Sequence, residues 1–532
     1  MKITLSGFRG ANRALHPLLL PDAVGVDSRN QNPVRGDLRP LKSPLTVASV
    51  PAGRQTIYRM GRDVARDDLY WLSWTGVVDV VRGGRAGDTT ERTYFTGDGV
   101  PKWTDNTLLG GAPYPTAWRA LGVPAPLAAP VLAATGGVSL LSETRSYVYT
   151  YVNDKAEESA PSPVSLLLTC KPDAGATLTG LSGAPTGYGI TLIRVYRTQA
   201  DAGGVAEYFF LREIAANLTT TTDDLRPLAS DVLPSVTWTM PPIDLTGLTG
   251  LWNGMMAGIS GNAVRFCEAY QPYAWPLAYE VLPPDAKPVA LAKFGQSLLV
   301  LTTGRPMLVT GGTPDAMDSQ PLELAEACIS ARSVVSFGHG VAWSCPDGLA
   351  YFGSGGAKMI TAGLMTRDDW QAIKPETIVG GVYEGAYLGF FTVSGVTKGF
   401  LIDPLNPTGL YFTDIPGSAV FFDELQDALY VLDGASVKKW DAGAALTALF
   451  KSKLFRSPKP ASFACAEIVA DSYPVTCTFY ADGVLMHTQT AANNKPFRLP
   501  PVVALTWQFE LTCTGAVQGL AMASTMTELA DT

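Results

Sequence analysis

VVSFGHGVAWSCPDGLAYFGSGGAKMIT, residues 334–361, contains four short segments typical of β-strands: Val334–Phe337, Val341–Ser344, Leu349–Phe352 and Lys358–Thr361. Aromatic and β-branched residues fit a pleated, half-buried surface, and the Gly and Asp-Gly positions between the segments permit tight turns. The stretch therefore predicts a four-stranded antiparallel meander. A meander of this size cannot bury both of its faces alone, so it needs similar neighbours.

Hairpins of the same kind recur on both sides of this stretch. Their central turns are marked by Gly261, Gly304, Gly348, Gly395 and Gly434, which lie 39–47 residues apart. Four-stranded propeller blades repeat at roughly 40–50 residues. The spacing predicts an all-β protein built around a β-propeller of six, possibly seven, blades. The seventh depends on a further hairpin at Gly76, formed by Leu69–Trp74 and Val77–Val81.

Residues 126–243 interrupt the repeat. Tyr147, Tyr149 and Tyr151 alternate with smaller residues, which predicts a strand with two distinct faces, and Ser159–Pro163 is expected to break strand pairing. Ile190–Arg197 and Glu207–Ile214 read as long strands. About seven short strands in about a hundred residues predict an inserted β-sandwich.

These boundaries divide the chain into five parts: an extended N-terminal arm (1–66), a first propeller part (67–125), the inserted β-sandwich (126–243), the propeller remainder (244–448) and a small C-terminal β-sandwich (449–532). The arm could instead be a frayed terminus, and the last part could continue the propeller. A strand from the arm could also close the propeller. KSKLFRSPKP, residues 451–460, is predicted to be a basic linker.

One helix is expected, over Leu364–Ile373, between two blades. Thr366 is the candidate N-cap, and Asp368 and Asp369 lie in the first turn, where the helix dipole favours negative charge. Lys374-Pro375 ends the helix. Trp370 is expected to pack on a propeller face.

Composition restricts the function. The net charge of −8 argues against a surface that grips nucleic acid, although DNA could pass such a surface without binding. Seven dispersed Cys without a CxxC pair predict buried free thiols and a reducing compartment. The N-terminus does not resemble a signal peptide. The sequence contains no run of about 18 apolar residues, so no membrane-spanning helix is predicted.

The sequence predicts no catalytic, cofactor-binding or metal site. His16, His339 and His487 are far apart and lack metal-ligand spacing, and His339 is predicted to be a turn residue. Ser354 lacks the first glycine of a nucleophile elbow, since Phe352 occupies that position. Gly353–Lys358 departs twice from the phosphate-loop pattern, at Ala357 and at Met359.

The charged clusters are predicted to have structural or solvated roles rather than catalytic ones. Asp368 and Asp369 are expected to serve the helix dipole, and Asp423 with Glu424 is expected to form a solvated turn. A carboxylate pair of unknown separation does not identify a glycosidase. The basic run of residues 451–459 is predicted to be solvated rather than bound to phosphate; it contains Lys451, Lys453, Arg456 and Lys459.

Several segments together resemble the tail nozzle (tail tubular or tail hub) proteins of short-tailed bacteriophages. They are the arm sequence GVDSRNQNPVRGDLRP, the hairpin repeats, the segment LMTRDDWQAIKPETIVGGVYEGAYLGFF and the final KSKLF with its sandwich. The segment YVYTYVNDKAEESAPSP, with the strands ITLIRVYRT and EYFFLREI, resembles the fibronectin type III-like insertions of phage virion proteins.

This resemblance implies a non-enzymatic virion protein, assembled in the bacterial cytoplasm. It would form a ring, expected to be a homohexamer, below the head–tail connector. The genome would be ejected through its lumen without specific DNA binding, and its flanks would seat tail fibres or spikes beside the connector proteins. No cofactor is implied. The alternative is a receptor- or carbohydrate-binding propeller; a propeller hydrolase is disfavoured.

Overall fold

The computed structural model describes residues 1–60, 66–84, 87–109, 117–200 and 206–530. Within these ranges the chain forms 46 β-strands and three short α-helices, so the prediction of an all-β protein is confirmed. Part of the expected hairpin-to-sandwich connector, residues 110–116, lies outside the described residues, as do residues 61–65 of the expected arm.

The N-terminal region contains five strands: β1 (Lys2–Leu5), β2 (Asp27–Arg29), β3 (Gln31–Asn32), β4 (Arg39–Pro40) and β5 (Leu45–Ser49). The first propeller part follows, with β6 (Thr56–Arg59), β7 (Trp71–Trp74), β8 (Asp79–Arg82), β9 (Thr93–Thr96), β10 (Lys102–Thr104), α1 (Asn106–Leu109) and β11 (Arg119–Ala120). The inserted domain contains β12 (Val131–Thr135), β13 (Glu143–Arg145), β14 (Tyr147–Asn153), β15 (Leu168–Cys170), β16 (Gly175–Thr179), β17 (Ile190–Ala200), β18 (Ala206–Ala215) and β19 (Thr221–Asp223).

The propeller then resumes with β20 (Thr246–Gly250), β21 (Met256–Ser260), β22 (Ala263–Phe266), β23 (Glu280–Val281), β24 (Pro288–Phe294), β25 (Ser297–Thr302), β26 (Met307–Thr310), β27 (Asp318–Pro321), β28 (Val335–Ser336), β29 (Gly340–Cys345), β30 (Gly348–Gly353), β31 (Gly356–Met359), α2 (Arg367–Ala372), β32 (Val379–Tyr383), β33 (Ala386–Val393), β34 (Val396–Ile402), β35 (Tyr411–Thr413), β36 (Ala419–Asp423), β37 (Ala428–Asp433) and β38 (Ser436–Lys439). Single 3-10 turns occupy Pro314–Ala316, Ala331–Ser333 and Pro375–Thr377.

The C-terminal region contains β39 (Ala448–Lys451), β40 (Phe455–Ala461), β41 (Cys465–Ala470), β42 (Val475–Ala481), β43 (Val484–Ala491), β44 (Phe497–Arg498), β45 (Ala504–Cys513), β46 (Val517–Ala523) and α3 (Met526–Ala530).

The described strands form a ring of seven sheets, numbered here as blades 1 to 7. Blade 1 is the pair β6–β7; blades 2 to 6 are β8–β11, β20–β23, β24–β27, β28–β31 and β32–β35; blade 7 joins β36–β38 to β5. The first strands of adjacent blades are in contact from blade 2 to blade 7, and β36 of blade 7 contacts β6 of blade 1. Trp74 of blade 1 packs on Phe95 of blade 2, which completes the ring. The β-propeller prediction is therefore confirmed.

Blade 5 is the meander predicted from residues 334–361, with its four strands in sequence order. The predicted helix is also present as α2: the Thr366 hydroxyl accepts the Asp369 backbone N–H, and the Trp370 indole donates to the Cys345 carbonyl at 2.9 Å. The predicted hairpin at Gly76 is wrong. β7 pairs with β6 and β8 pairs with β9, so Gly76 lies in a connection between two blades.

Closure of the ring depends on two contacts between distant parts of the chain. β5 pairs antiparallel with β38, from Ser49 opposite Ser436 to Leu45 opposite Lys439. Arg59 of blade 1 donates to the Asp423 carboxylate of blade 7 at 2.9 Å, and the two side chains are 0% and 4% exposed. The expectation that Asp423 belongs to a solvated turn is therefore wrong.

The inserted domain is a β-sandwich with sheets β12-β16-β19, β13-β15 and β14-β17-β18. Its core is formed by Tyr147, Tyr149 and Tyr151 of β14 together with residues of the facing strands. The two distinct faces expected of β14 are present, and both are buried: the tyrosines contribute to the core between the sheets, whereas Val148 belongs to a separate cluster. The second face of β14 is covered by Tyr196 and Leu233, which pack with Val148.

A ladder of three serines replaces the break in pairing that was expected beside β14. The backbone N–H groups of Ser159, Ser162 and Ser165 donate to the carbonyls of Tyr151, Tyr149 and Tyr147 at 2.8–3.1 Å. Their hydroxyls accept the N–H groups of the same three tyrosines at 2.9–3.2 Å. One serine in every three residues thus supplies both hydrogen bonds that a paired strand would have made along this edge.

The C-terminal region is a second sandwich. One sheet is β1-β46-β41-β44, and the other contains β39, β45, β42 and β43, with β40 beside β45. Residues 451–460, expected to be a linker, instead lie largely in β39 and β40. β2 pairs with both β35 and β39, so the second sheet is continuous with blade 6. The first 66 residues thus contribute strands to five sheets rather than lying on the surface as an arm.

We expect Asp423→Asn to lower the free energy of unfolding by about 3–5 kcal/mol, because it removes the negative charge from the buried Arg59–Asp423 ion pair. Chemical denaturation followed by tryptophan fluorescence measures this loss. The control is Asp68→Asn, since the Arg66–Asp68 pair is 54% and 45% exposed and its loss should leave the denaturation midpoint unchanged. Equal midpoints for the two variants would contradict this account of ring closure.

Ser165→Ala should destabilise the inserted domain by about 1–3 kcal/mol, because it leaves the buried N–H of Tyr147 without an acceptor. Hydrogen exchange of the Tyr147 amide should accelerate in the same variant. The exposed Ser142, which lies outside the ladder, provides the matched Ser→Ala control. An unchanged exchange rate at Tyr147 would show that the hydroxyl does not protect this amide.

Candidate functional site

The three histidines lie in different parts of the protein. His16 Nδ1 accepts the Leu18 N–H at 3.3 Å in the N-terminal region, and His487 lies 3.3 Å from the Gln489 side chain in the C-terminal sandwich. His339 lies in blade 5, where its Nδ1 is 2.9 Å from the Tyr351 hydroxyl and its ring stacks on Phe337. His339 is therefore a turn residue, as predicted, with a structural partner that the sequence did not identify.

The other residues weighed for chemistry are also part of the framework. Ser354 lies in the turn between β30 and β31. Asp369 belongs to the N-cap of α2, with its carboxylate 2.7 Å from the Thr366 hydroxyl. Lys453 pairs with Asp22 at 3.0 Å. Across the described residues, no group of three or more His, Cys, Asp and Glu is arranged to hold a metal ion.

The Arg332 side chain links several blades at the end of the propeller where the first strand of each blade begins. Arg332, just before β28, donates to the carbonyl of Gln55, just before β6, at 2.8 Å, and also to the carbonyl of Ser418, just before β36. Burial lowers the pKa of this guanidinium. Blades 1, 5 and 7 are thereby joined at one end of the propeller axis.

A concave site lies where the inserted domain meets blades 2 and 3. This junction cleft has a volume of about 990 Å³. Its wall includes Arg92 and Tyr94 from blade 2, Glu158 from the inserted domain and Trp238 and Tyr273 from the chain around blade 3. Six separate segments of the sequence contribute to it, so no local motif could have identified it.

A tight turn after β14 positions the inserted domain on the propeller. The Asn153 side-chain oxygen accepts the N–H groups of Lys155 and Glu157 at 3.0 and 2.9 Å, which folds the turn. The ammonium group of Lys155 then pairs with Asp105 of the propeller at 2.9 Å. The turn at residues 154–158 thus docks the inserted domain on the propeller.

Two further ion pairs reinforce this contact. Arg92 of blade 2 lies 2.8 Å from Glu157, and its guanidinium stacks over Trp103 at 3.9 Å from the ring centre. Arg119 pairs with Asp154 at 2.6 Å. Pairs with buried partners and an aromatic platform hold geometry better than exposed pairs do. The cleft therefore has fixed walls.

Glu158 is partnered by three side chains at the cleft. Its carboxylate accepts from the hydroxyls of Thr150 and Tyr196 at 2.7 and 2.6 Å and pairs with Arg194 at 2.9 Å. Burial, with the nearby Glu158 charge, raises the pKa of Tyr196 far above its usual range. Because its partners are all side chains of the inserted domain, the Glu158 carboxylate has a structural role. The cleft therefore has the features of a binding site rather than a catalytic one.

Comparisons with known proteins give little guidance. No family model and no curated protein matches the chain. The extracellular domain of a hybrid two-component system from B. thetaiotaomicron is 7% identical, with 90% of this chain and 58% of that chain covered and a TM-score of 0.28. A family 43 arabinoxylan arabinofuranohydrolase from Bacillus subtilis is 9% identical, with 76% and 95% covered and a TM-score of 0.20.

Apo AztD from Citrobacter koseri is 11% identical, with 68% of this chain and 100% of that chain covered and a TM-score of 0.27. Scores this low carry no argument about function. Among the described residues, no helix has both the length and the apolar character needed to span a bilayer.

The seven cysteines are free and buried, as predicted. Burial raises the pKa of Cys267, Cys328 and Cys513 to about 12. The native protein should therefore react with fewer than one equivalent of a thiol-specific disulfide reagent at pH 8, and with seven equivalents after unfolding. Thiol titration with and without denaturant measures this difference.

The same pKa shifts predict the direction of alkaline sensitivity. A thiol in the unfolded chain ionises near its ordinary value of 9.0, whereas the buried thiols remain protonated to about 12. Above about pH 9 the unfolded state loses more protons, so stability should fall as the pH rises. Stability that increased between pH 9 and 11 would contradict this linkage.

Proposed function

We propose that this chain is a structural protein of a bacteriophage tail that assembles into a ring-shaped nozzle below the head–tail connector. The genome would be ejected through the ring, and fibres or spikes would attach to its flanks. A non-catalytic role and a homo-oligomeric, expected hexameric, state are parts of this proposal. The support comes from the sequence resemblance and from two properties of the fold.

The first property is that the three β blocks are joined over several contacts. The inserted domain is held by the ion pairs of Arg92, Lys155 and Arg119. The C-terminal sandwich shares a continuous sheet with blade 6 through β2. A closed ring of subunits requires interfaces at fixed angles, which blocks joined in this way can supply.

The observation that carries the proposal is an exposed apolar edge on the inserted domain. Leu140 and Leu166 are 103% and 89% exposed, and Val138, Leu141 and Leu167 are 87%, 72% and 73% exposed. These residues precede the paired strands β13 and β15 at either end of one short ribbon. Two groups of large exposed apolar side chains on one short ribbon are typical of protein interaction sites. In the proposed ring they would contact a neighbouring subunit or virion protein.

The net charge of −8 is compatible with DNA in transit. An acidic subunit repels the phosphate backbone and gains nothing from counterion release, so it would not retain the genome during ejection.

The test is assembly of the full chain, measured by native mass spectrometry and negative-stain imaging, alone and with the connector of a short-tailed phage. We expect closed rings. Leu140→Glu with Leu166→Glu should abolish ring formation while leaving the monomer folded, because two charges would be buried in the subunit contact.

Leu405→Glu is the matched control. Leu405 is 61% exposed and lies between β34 and β35 of blade 6, away from the inserted domain. Its replacement should leave assembly intact. A chain that stays monomeric under every condition, connector included, would overturn the proposal.

A further inference from the structure

We propose that the junction cleft binds a neutral oligosaccharide. This inference is independent of assembly into a nozzle, since it depends only on groups within one chain. At about 990 Å³ the cleft is large enough for a ligand of several sugar rings. Its walls join blade 2, blade 3 and the inserted domain, and the ion pairs described above hold them together.

The charges around the cleft favour an uncharged ligand. Three cations, Arg92, Lys155 and Arg194, face three anions, Asp88, Glu157 and Glu158. Arg92 pairs with Glu157 at 2.8 Å and Arg194 pairs with Glu158 at 2.9 Å. A charged ligand would have to break such a pair and leave one partner buried alone, which is costly. Hydroxyl groups, in contrast, can bond to paired ions without displacing them.

A buried tyrosine supplies the polar group that points to a ligand. Tyr94 lines the cleft and is only 3% exposed. Within the described part of the chain its hydroxyl has no hydrogen-bond partner, although Arg92 lies over its ring at 5.6 Å. A hydroxyl that lines a cleft and makes no hydrogen bond within the described chain is free to bond to a ligand there. A ligand hydroxyl in the cleft would satisfy this group.

Aromatic faces provide the other half of saccharide recognition. Trp238 and Tyr273 line the cleft with their rings at 83° to one another and 5.8 Å apart. Sugar rings present C–H faces that pack on aromatic rings, while their edges carry hydroxyls. Two perpendicular rings next to the Tyr94 hydroxyl offer both kinds of contact.

A third aromatic residue lies at the rim. Tyr270 is 65% exposed and has a φ of +59°, a left-handed conformation that is uncommon for a bulky residue. Gly254 lies beneath it, where any β-carbon would collide with the Tyr270 ring. The local backbone thus holds an exposed aromatic ring over the entrance to the cleft, where it could cover one sugar unit.

The experiment uses the full chain and four neutral tetrasaccharides, composed of glucose, galactose, mannose or rhamnose, at up to about 10 mM. Saturation-transfer NMR detects binding, and calorimetry gives the dissociation constant. We expect at least one of the four to bind, and a uronate-containing counterpart of it to bind more weakly.

Two substitutions locate the site. Tyr94→Phe should weaken binding about 5–10-fold, since it removes one hydrogen bond and leaves the ring. Tyr270→Ala should weaken it by a similar factor through lost stacking, and as a rim residue it should not affect folding. The matched control is Tyr411→Phe in blade 6, also a buried tyrosine without a side-chain hydrogen bond in the described chain, which should leave affinity unchanged.

Three outcomes would overturn the inference. The first is that none of the four tetrasaccharides binds. The second is that Tyr94→Phe and Tyr270→Ala bind the sugar as tightly as the unmodified chain does. The third is that the uronate-containing sugar binds more tightly than its neutral counterpart. Because ring assembly is measured without any sugar, failure here leaves the nozzle proposal standing, and failure of assembly leaves this inference standing.

Discussion

The structure depends on the closure of a ring by strands that lie at opposite ends of the sequence. Each blade exposes two apolar faces and can bury them only against its neighbours. Blade 7 obtains its fourth strand from β5, and blade 1 is attached to blade 7 by the buried Arg59–Asp423 pair. Without these contacts two blades would each present an uncovered face, and the exposed edge of β38 could pair with other chains.

Two other strands of the N-terminal region also pair with strands from the far end of the sequence. β1 pairs with β46 at the edge of the C-terminal sandwich, and β2 lies between β35 and β39. Backbone hydrogen bonds therefore run without interruption from the propeller into the terminal sandwich. The inserted domain is attached differently, through side-chain ion pairs around Glu157 and Lys155. One connection is made by backbone hydrogen bonds, and the other depends on charge.

The elements that depend on neighbouring residues could be predicted from the sequence. The glycine turns and alternating apolar residues identified the central hairpins of blades 3 to 7, and the capping residues identified α2, because both signals act within a few residues. Strand pairing between distant segments leaves no such signal. β5 reads as a strand, but nothing in its sequence selects β38 as a partner.

The errors have the same origin. The prediction of a hairpin at Gly76 is wrong because its flanking strands are adjacent in sequence but each pairs elsewhere. The prediction of a solvated Asp423 is wrong because its partner, Arg59, lies hundreds of residues earlier. The junction cleft was missed entirely, since it combines segments whose proximity exists only after the inserted domain docks.

The pairing of first strands with last strands also sets an order for biosynthesis. The inserted domain makes its core within residues 123–228 and can fold soon after it leaves the ribosome. β5 must wait until β38 has been made, roughly 390 residues later, which at about 5–20 residues per second is about 20–80 s. During that interval the nascent chain carries unpaired apolar strands at its free end. This is the period in which a cellular chaperone would have most to protect.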